Sequence, residues 1–494
     1  MLLFSSFSIW GGVLMSQEIT KAQADILLSQ NYVNDAVPLF YANIGGATDI
    51  NVSSFNISRD HGAMAQSCSL TIPNVNPTDP VDTGYYNEGR NDAKNNKPQN
   101  AYNGVIIPGS LITVKMGYGD SPSSDTVTVF TGTIDTVKIS ISGTNSEMYV
   151  YCRGTTKKMV DNPIQCQRVV SGEIFYHMNY PVNGWAKTGE ELIEFYLTKT
   201  DTNPLLLSIW IDACERAGFT AGNLVYDTTW VTRLADVAEG SFTNCTGTWI
   251  QLAQKVVDLL GAYMYEDEYG KIYLKVANNQ SYSDSISVNM SYSVYNTLHS
   301  GYARAVEESI VVSGYSNSDW EYDYASDGIR ISSGSSISEG QTVGITFTYC
   351  AWKYNPTQVS QLTQWVSHDD TYGTLAVRNI EKGLKRTLTT GALGDGSSMS
   401  TLKVGLEDKP ELLTNAKIDD YLINKMTEMK KNYFNLSLDC IAIPQLRVRD
   451  IICCVIFGTI TALYEITGFT LSYDASTGMT QTINAVYYAS SNAI

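Results

Sequence analysis

A strand pattern that occurs once near each end of the chain leaves few folds open to it. In Ile443 to Tyr488, the residues Ile451, Ile452, Val455, Ile456 and Phe457 form an apolar run rich in β-branched side chains, which suits a strand buried in a barrel. Tyr464 to Tyr473 then alternates between bulky and polar residues around Thr467-Gly468, and a glycine inside a strand marks a bulge or bend. Asp474 to Gly478 supplies turn chemistry, and Thr480 to Tyr488 reads as the returning strand of a small antiparallel barrel. Near the other end, Ile107-Pro108 precedes Leu111 to Met116, Phe130-Thr-Gly132-Thr-Ile134 and Met148 to Cys152 in the same manner. Gly132 stands 24 residues after Pro108, and Gly468 stands 24 after Pro444. Two units alike in pattern but not in residues suggest a duplication. The alternative is that antiparallel segments with glycine turns simply resemble one another.

A chain of 494 residues exceeds a single core. The expected class is mainly β with α+β insertions: two antiparallel barrels plus mixed connecting domains. The expected organisation is an N-terminal apolar segment 1–15, a first barrel 16–152 with a long polar loop 74–103, and a mixed α/β domain 153–245. A helix-hairpin part 246–316, an insertion 317–434 ending in a helix, and a second barrel 435–494 follow. Residues 1–15 resemble a signal-peptide core but lack a leading Lys or Arg. They are too short to span a bilayer, so an upstream start codon or a segment packed into a partner is expected, and no stable membrane insertion.

Helical signals are clearest at three places. Leu205 to Ala217 lies between Pro204 and Gly218, and Thr248 to Leu260 has an N-cap threonine and a following Gly261. Leu412 to Phe434 repeats Ile418, Leu422, Met426 and Met429 at helical spacing, which reads as core packing rather than a binding groove. A hairpin is expected over Ala262 to Lys275, turning at Asp267 to Gly270.

Catalytic constellations are not evident. The four histidines, His61, His177, His299 and His368, are widely separated and outside metal-ligand spacings. His368-Asp369-Asp370 is the best metal-like cluster but reads as a solvated loop, and Asp319, Asp323 and Asp327 miss calcium-loop spacing. Glu190-Glu191 and Glu307-Glu308 could serve a glycoside hydrolase only at a carboxylate separation that sequence does not give. There is no GxSxG or GxxxxGK[ST] run. The nine cysteines are scattered without CxxC and are expected to be buried and reduced. The net charge of −17 excludes a protein that grips nucleic acid by neutralising phosphates. No catalytic residue, cofactor or metal is therefore expected.

The chain resembles the phage tail-hub family: baseplate hubs of contractile phages, the late control protein D group, the head of type VI secretion spikes and siphophage tail-associated hubs. Gly117-Tyr-Gly119, Val129 to Asp135 and Tyr149 to Cys152 carry the likeness in the first barrel. Trp249 to Leu274, Ile418 to Lys430, Pro444 to Asp450 and Tyr464 to Phe469 carry it in the second half. The barrel signature comprises Pro108, Phe130, Gly132, Pro444, Asp450, Tyr464 and Gly468. The resemblance implies two tube-like barrels per chain and a homotrimer forming a pseudo-sixfold ring. It also implies a tail tube or distal tail protein above, a spike or fibre protein below, and DNA passing through the lumen without specific binding. Its expected place is the virion, at the tail tip or baseplate, after assembly in the host cytoplasm. Arg449 departs from the pattern, since relatives often carry Gly before the Asp, and 317–410 has no clear counterpart. Some relatives append a hydrolase or peptidase; none is expected here. The tyrosine-rich composition (32 Tyr against 13 Phe) leaves a carbohydrate-binding adhesin as an alternative, with Trp320 and Trp352 as candidate surface residues. A peptidoglycan hydrolase acting through paired carboxylates is a further alternative.

Overall fold

The computed structural model describes residues 19–30, 38–60, 65–76, 79–83, 106–119, 125–142, 145–170, 173–178, 206–226, 247–276, 283–299, 303–366, 372–389, 403–410, 412–431, 434–456, 460–474 and 478–490. Residues 1–15, most of the loop 74–103, His61, His368 and the Glu190-Glu191 pair lie outside them.

Among the described residues thirteen strands form one sheet. The first seven are β1 (Pro38–Ile44), β2 (Ala47–Ile50), β3 (Ser54–Asp60), β4 (Ser67–Pro73), β5 (Leu111–Tyr118), β6 (Thr126–Ser142) and β7 (Asn145–Gly154). The remaining six are β8 (Trp352–Tyr354), β9 (Val359–Val366), β10 (Phe434–Ile441), β11 (Ile451–Ile456), β12 (Ile460–Asp474) and β13 (Gly478–Ser490). Their order is β2-β1-β5-β6-β7-β4-β3-β12-β13-β10-β9, with β11 paired to β12 and β8.

That order holds the same six-strand unit twice. Unit one runs β1, β5, β6, β7, β4, β3, and unit two runs β8, β11, β12, β13, β10, β9. In each, a short strand leads into a long one that bulges and returns as a hairpin. Opposite β7, β6 bulges between Ile134 and Thr136; opposite β13, β12 bulges between Ile466 and Gly468. Each bulge begins eight residues before the hairpin pair, Ser142 with Asn145 and Asp474 with Gly478. The inner strands then follow in register: Ile112 pairs with Gly132 as Ile452 pairs with Tyr464. One difference is that β1 is antiparallel to β5 whereas β8 is parallel to β11.

This alignment moves the sequence markers. Gly132 stands in the slot of Tyr464, and Gly468 in the slot of Thr136. The equal spacing from Pro108 and Pro444 therefore does not mark equivalent positions. Among the described residues neither unit closes on itself by strand pairing. Instead β3 of unit one runs antiparallel to the C-terminal half of β12, from Phe55 opposite Tyr473 to Asp60 opposite Gly468. Gly468 allows this approach, because a Cβ there would lie 2.8 Å from the Arg59 carbonyl oxygen.

One apolar core runs beneath both units and includes Phe55, Ile57, Phe130, Ile134, Trp352, Tyr354, Tyr464, Phe469 and Leu471. The helix Trp249–Leu260 forms where expected: the Gln251 side chain accepts from the Thr248 N–H (3.0 Å), and Gly261 ends it with φ 58°. It packs with Leu206–Arg216 over strands 224–226, 262–266 and 272–276 around Trp210, Trp249 and Val256. Strands from Ser283 to Cys350 enclose a separate core around Ile329, Ile345 and Phe347. The helix Asn415–Lys431 buries Ile418, Leu422, Met426 and Met429 against strands 372–379 and 384–389. These packed bodies cross the expected limits at 245 and 316, and two strands of unit two, β8 and β9, come from the expected insertion 317–434. The physical reason is that a strand's partner can lie far away in sequence.

The Gly468→Ala variant is expected to lose about 1–3 kcal/mol in denaturant unfolding, by overpacking the β3–β12 approach. Thr467→Ala, beside it on the exposed face, is expected to lose less than about 1 kcal/mol.

Candidate assembly edges and the buried charged joint

Unit two shows what completes this kind of unit. The N-terminal half of β12 pairs with β11, and its C-terminal half with β3. In unit one the N-terminal half of β6 pairs with β5, from Thr126 to Thr133. Among the described residues, Thr136 to Ser142 pair only with β7. Among the described residues the outer strand of unit two, β9, pairs only with β10. Burial follows pairing. In β3, Phe55, Ile57 and Arg59 are covered, whereas β9 is exposed along most of its length. Trp365 (44 %), Val366 (47 %) and Ile139 (40 %) are large apolar side chains left open on these two edges.

Where the units meet, the hairpin tip Glu266-Asp267-Glu268 is inserted among charged residues. The Arg447 Nε donates to both Glu268 oxygens (3.1 and 2.9 Å), and the Arg59 guanidinium lies 3.8 Å from the same carboxylate. Arg59 belongs to β3 and Arg447 to the loop before β11, so one carboxylate ties both units to the α/β domain. Glu266 accepts from the hydroxyls of Thr155 (2.7 Å) and Thr156 (2.6 Å) just after β7. Burial raises the Glu266 carboxyl above its ordinary range against these hydrogen bonds. Burial also lowers Arg59, opposed by Glu268, while Arg447 is raised because Glu268 outweighs burial.

Arg449 has φ 75°, the left-handed region that favours glycine. That is the physical content of its departure from the resemblance. Its guanidinium reaches Glu465 and Glu428 (3.3 Å) and lies 4.0 Å from the centre of the Tyr263 ring. Burial alone would lower its pKa; Glu465 and Glu428 raise it. Close by, Lys275 is lowered to about 8 chiefly by burial, with its Nζ 5.6 Å from the Tyr273 ring centre.

The signature residues fall at several places. Phe130, Pro444, Asp450 and Tyr464 are buried, and Pro108 is exposed in the turn before β5. Asp450 accepts from the Arg447 N–H (2.8 Å), fixing the loop that carries Arg447. The Tyr464 hydroxyl receives the Gln364 amide from β9. A Cβ on Gly132 would collide with the Arg153 carbonyl. Sequence reasoning missed Glu268, Arg59 and Arg447; the sign of such a joint is charge set inside otherwise apolar strand and hairpin patterns. It also misplaced two tryptophans: Trp320 and Trp352 are buried. Asp319, Asp323 and Asp327 bind separate partners, namely Ser316 and Ser336, Ser326, and the Ala305 and His299 N–H groups. Hydrogen bonds from Ser336 and Ser316 hold Asp319 below the usual carboxylate range. The His299 ring lies tilted against Tyr349, with centroids 4.6 Å apart. Among the described residues no three His, Cys, Asp or Glu side chains are placed to hold a metal ion, and seven cysteines are buried. No described helix is long and apolar enough to cross a membrane.

No family model matches the chain, and no curated protein matches it. Among solved structures it is similar to the 43 kDa tail protein of prophage MuSo2 from Shewanella oneidensis, at 13% identity and a TM-score of 0.49, over 91% of this chain and 98% of that one. It is also similar to the tail protein from Neisseria meningitidis MC58, at 9% identity and a TM-score of 0.48, over 91% and 96%. The prophage tail protein gp18 from Listeria monocytogenes EGD-e matches at 8% identity and a TM-score of 0.40, over 92% and 94%. At these scores the likenesses do not decide what this chain does.

The Arg449→Gly variant relieves about 1 kcal/mol of backbone strain but withdraws a buried cation whose loss costs about 3–5 kcal/mol. Unfolding is expected to show a net loss of about 2–4 kcal/mol, partly restored by adding Glu465→Gln. For Lys275, a folded pKa near 8 lies below the free value of 10.5, so the unfolded chain binds the proton more tightly and stability rises with pH between them. Lys275→Met is expected to be more stable than the parent at pH 7, with the gap in melting temperature narrowing from pH 8 towards 10.5.

Proposed function

We propose that this chain is a structural hub of a phage tail, at the tip or baseplate, working by assembly rather than by catalysis. The observation that carries the reading is the doubled six-strand unit, in which one unit completes the next and, among the described residues, a further edge is left open in each unit. Open edges of this head-to-tail kind close into a ring when the rotation permits, and closed rings are the usual outcome for soluble oligomers. Three chains with two units each place six units around one axis. That number mates with a hexameric tube or distal tail protein on one side and a threefold spike or fibre on the other.

In this reading the ring surrounds a channel for DNA ejection, and the net charge of −17 keeps DNA from adhering to it. The protein belongs to the virion and is assembled in the host cytoplasm. The adhesin alternative loses its two named tryptophans to burial. Of the two acidic pairs named for a hydrolase, Glu190-Glu191 lies outside the described residues, and Glu308 of the other pair is engaged by Lys353.

Light scattering of the purified chain is expected to give three times the chain mass, and negative-stain averages a six-lobed ring around a channel. A peptidoglycan zymogram is expected to show no clearing. A stable monomer at all concentrations, or a clearing zone abolished by a carboxylate substitution, contradicts this function.

A further inference from the structure

We infer that copies of this chain join by β-strand addition, β9 of one copy pairing antiparallel with Val137 to Ile141 of β6 in the next; the inference rests on the ring reading above. The chain contains its own template. β3 and β9 hold the same place in their units: Phe55 lies opposite Leu70 in β4 as Leu362 lies opposite Leu438 in β10. The second half of β12 and the second half of β6 also correspond, through their bulges and hairpin pairs. Since β3 pairs with β12, the corresponding partner of β9 is β6. Among the described residues the chain's own β9 and β6 do not pair with each other, so this β6 is supplied by a second copy.

The template also sets the register. Phe55 opposite Tyr473 and Ile57 opposite Leu471 translate to Leu362 opposite Ile141 and Gln364 opposite Ile139. Val366 then lies opposite Val137. On the template's core face, Phe55 and Ile57 meet Tyr473 and Leu471, and the Phe40 ring lies tilted against Tyr473 with centroids 4.0 Å apart. The intercopy seam brings Leu362 and Val366 to the corresponding apolar face beside Ile139. On the polar face, Asn56 donates to the Ser472 hydroxyl (3.0 Å) in the template. There Thr363 meets Ser140, and Trp365 meets Lys138 within reach of a cation–π contact. Ile139, Trp365 and Val366, large apolar side chains left open on the two edges, fall inside this seam. Edge strands without Pro or a covering element are the usual sites of strand addition, and Val137 to Ile141 and Leu362 to Val366 contain no Pro.

The test is cysteine pairing in the full chain. Thr363→Cys with Ser140→Cys places two thiols directly opposite across the expected seam, at a separation a disulfide can bridge with little adjustment. Oxidation is expected to give species of two and three linked chains on a non-reducing gel. Either single variant, or Thr363→Cys with Thr136→Cys four positions out of register, is expected to give none. Ile139→Glu is expected to keep the circular dichroism of the parent while reducing the particle mass from three chains to one. A threefold particle that forms no cross-link and is unaffected by Ile139→Glu overturns this edge assignment and leaves the hub reading standing. A parent chain that stays monomeric removes both. Cross-linked chains longer than three keep the edge and refute closure by three copies.

Discussion

The antiparallel pairing of β3 with the second half of β12 is the contact on which the rest of this molecule depends. It joins segments about 400 residues apart in sequence and makes one sheet of two units. Without it, β3 would be an outer strand as bare as β9, and Phe55, Ile57, Phe469 and Leu471 would lose the cover that buries them. Such a pairing carries a large loop-closure cost before any contact forms. Apolar burial offsets that cost, and the Phe40, Phe55 and Tyr473 rings meet at the seam with centroids 4.0–6.1 Å apart.

The seam also fixes where charge must go. Arg59 sits at the end of β3 beside Phe469 of β12, with its guanidinium 5.4 Å from that ring. It cannot reach water, and Glu268 from the α/β domain comes to it instead, held more closely by Arg447. A buried pair of this kind adds little to stability over an apolar replacement but is costly to break. Its effect is geometric: the hairpin tip has one seat, where both units contribute an arginine. Arg449 extends the same logic, since its ion pairs hold a backbone conformation that glycine would adopt without strain.

Local signals in the sequence were legible wherever the determining contacts are local. The helix Trp249–Leu260 follows from its periodic Trp249, Leu252, Val256 and Leu259 and from its caps at Thr248 and Gly261. The bulged strand β12 follows from Thr467-Gly468. The mainly β class and the presence of two similar units were legible for the same reason. Which residues of the units correspond was not, because pairing register is set by partners far away. The matched spacing of Gly132 and Gly468 fell on slots four residues apart, and each glycine accommodates a different carbonyl, Arg153 and Arg59. Nor did the sequence reveal that β8 and β9, embedded in an apparent insertion, complete the second unit. Tyrosine and tryptophan content likewise says nothing about exposure: Trp352 is in the main core, and Trp365 lies on an open edge.

The central claim is that β9 and the second half of β6 are complementary edges, as β3 and the second half of β12 already are. Amide hydrogen exchange on the assembled particle and on dissociated chains tests it most directly. The account predicts slow exchange in Ser54–Asp60 and in 468–474 under both conditions. It predicts that Val359–Val366 and 137–141 exchange fast in dissociated chains and become protected together on assembly. Protection of one of these two stretches without the other, or of neither in an assembled ring, would contradict it.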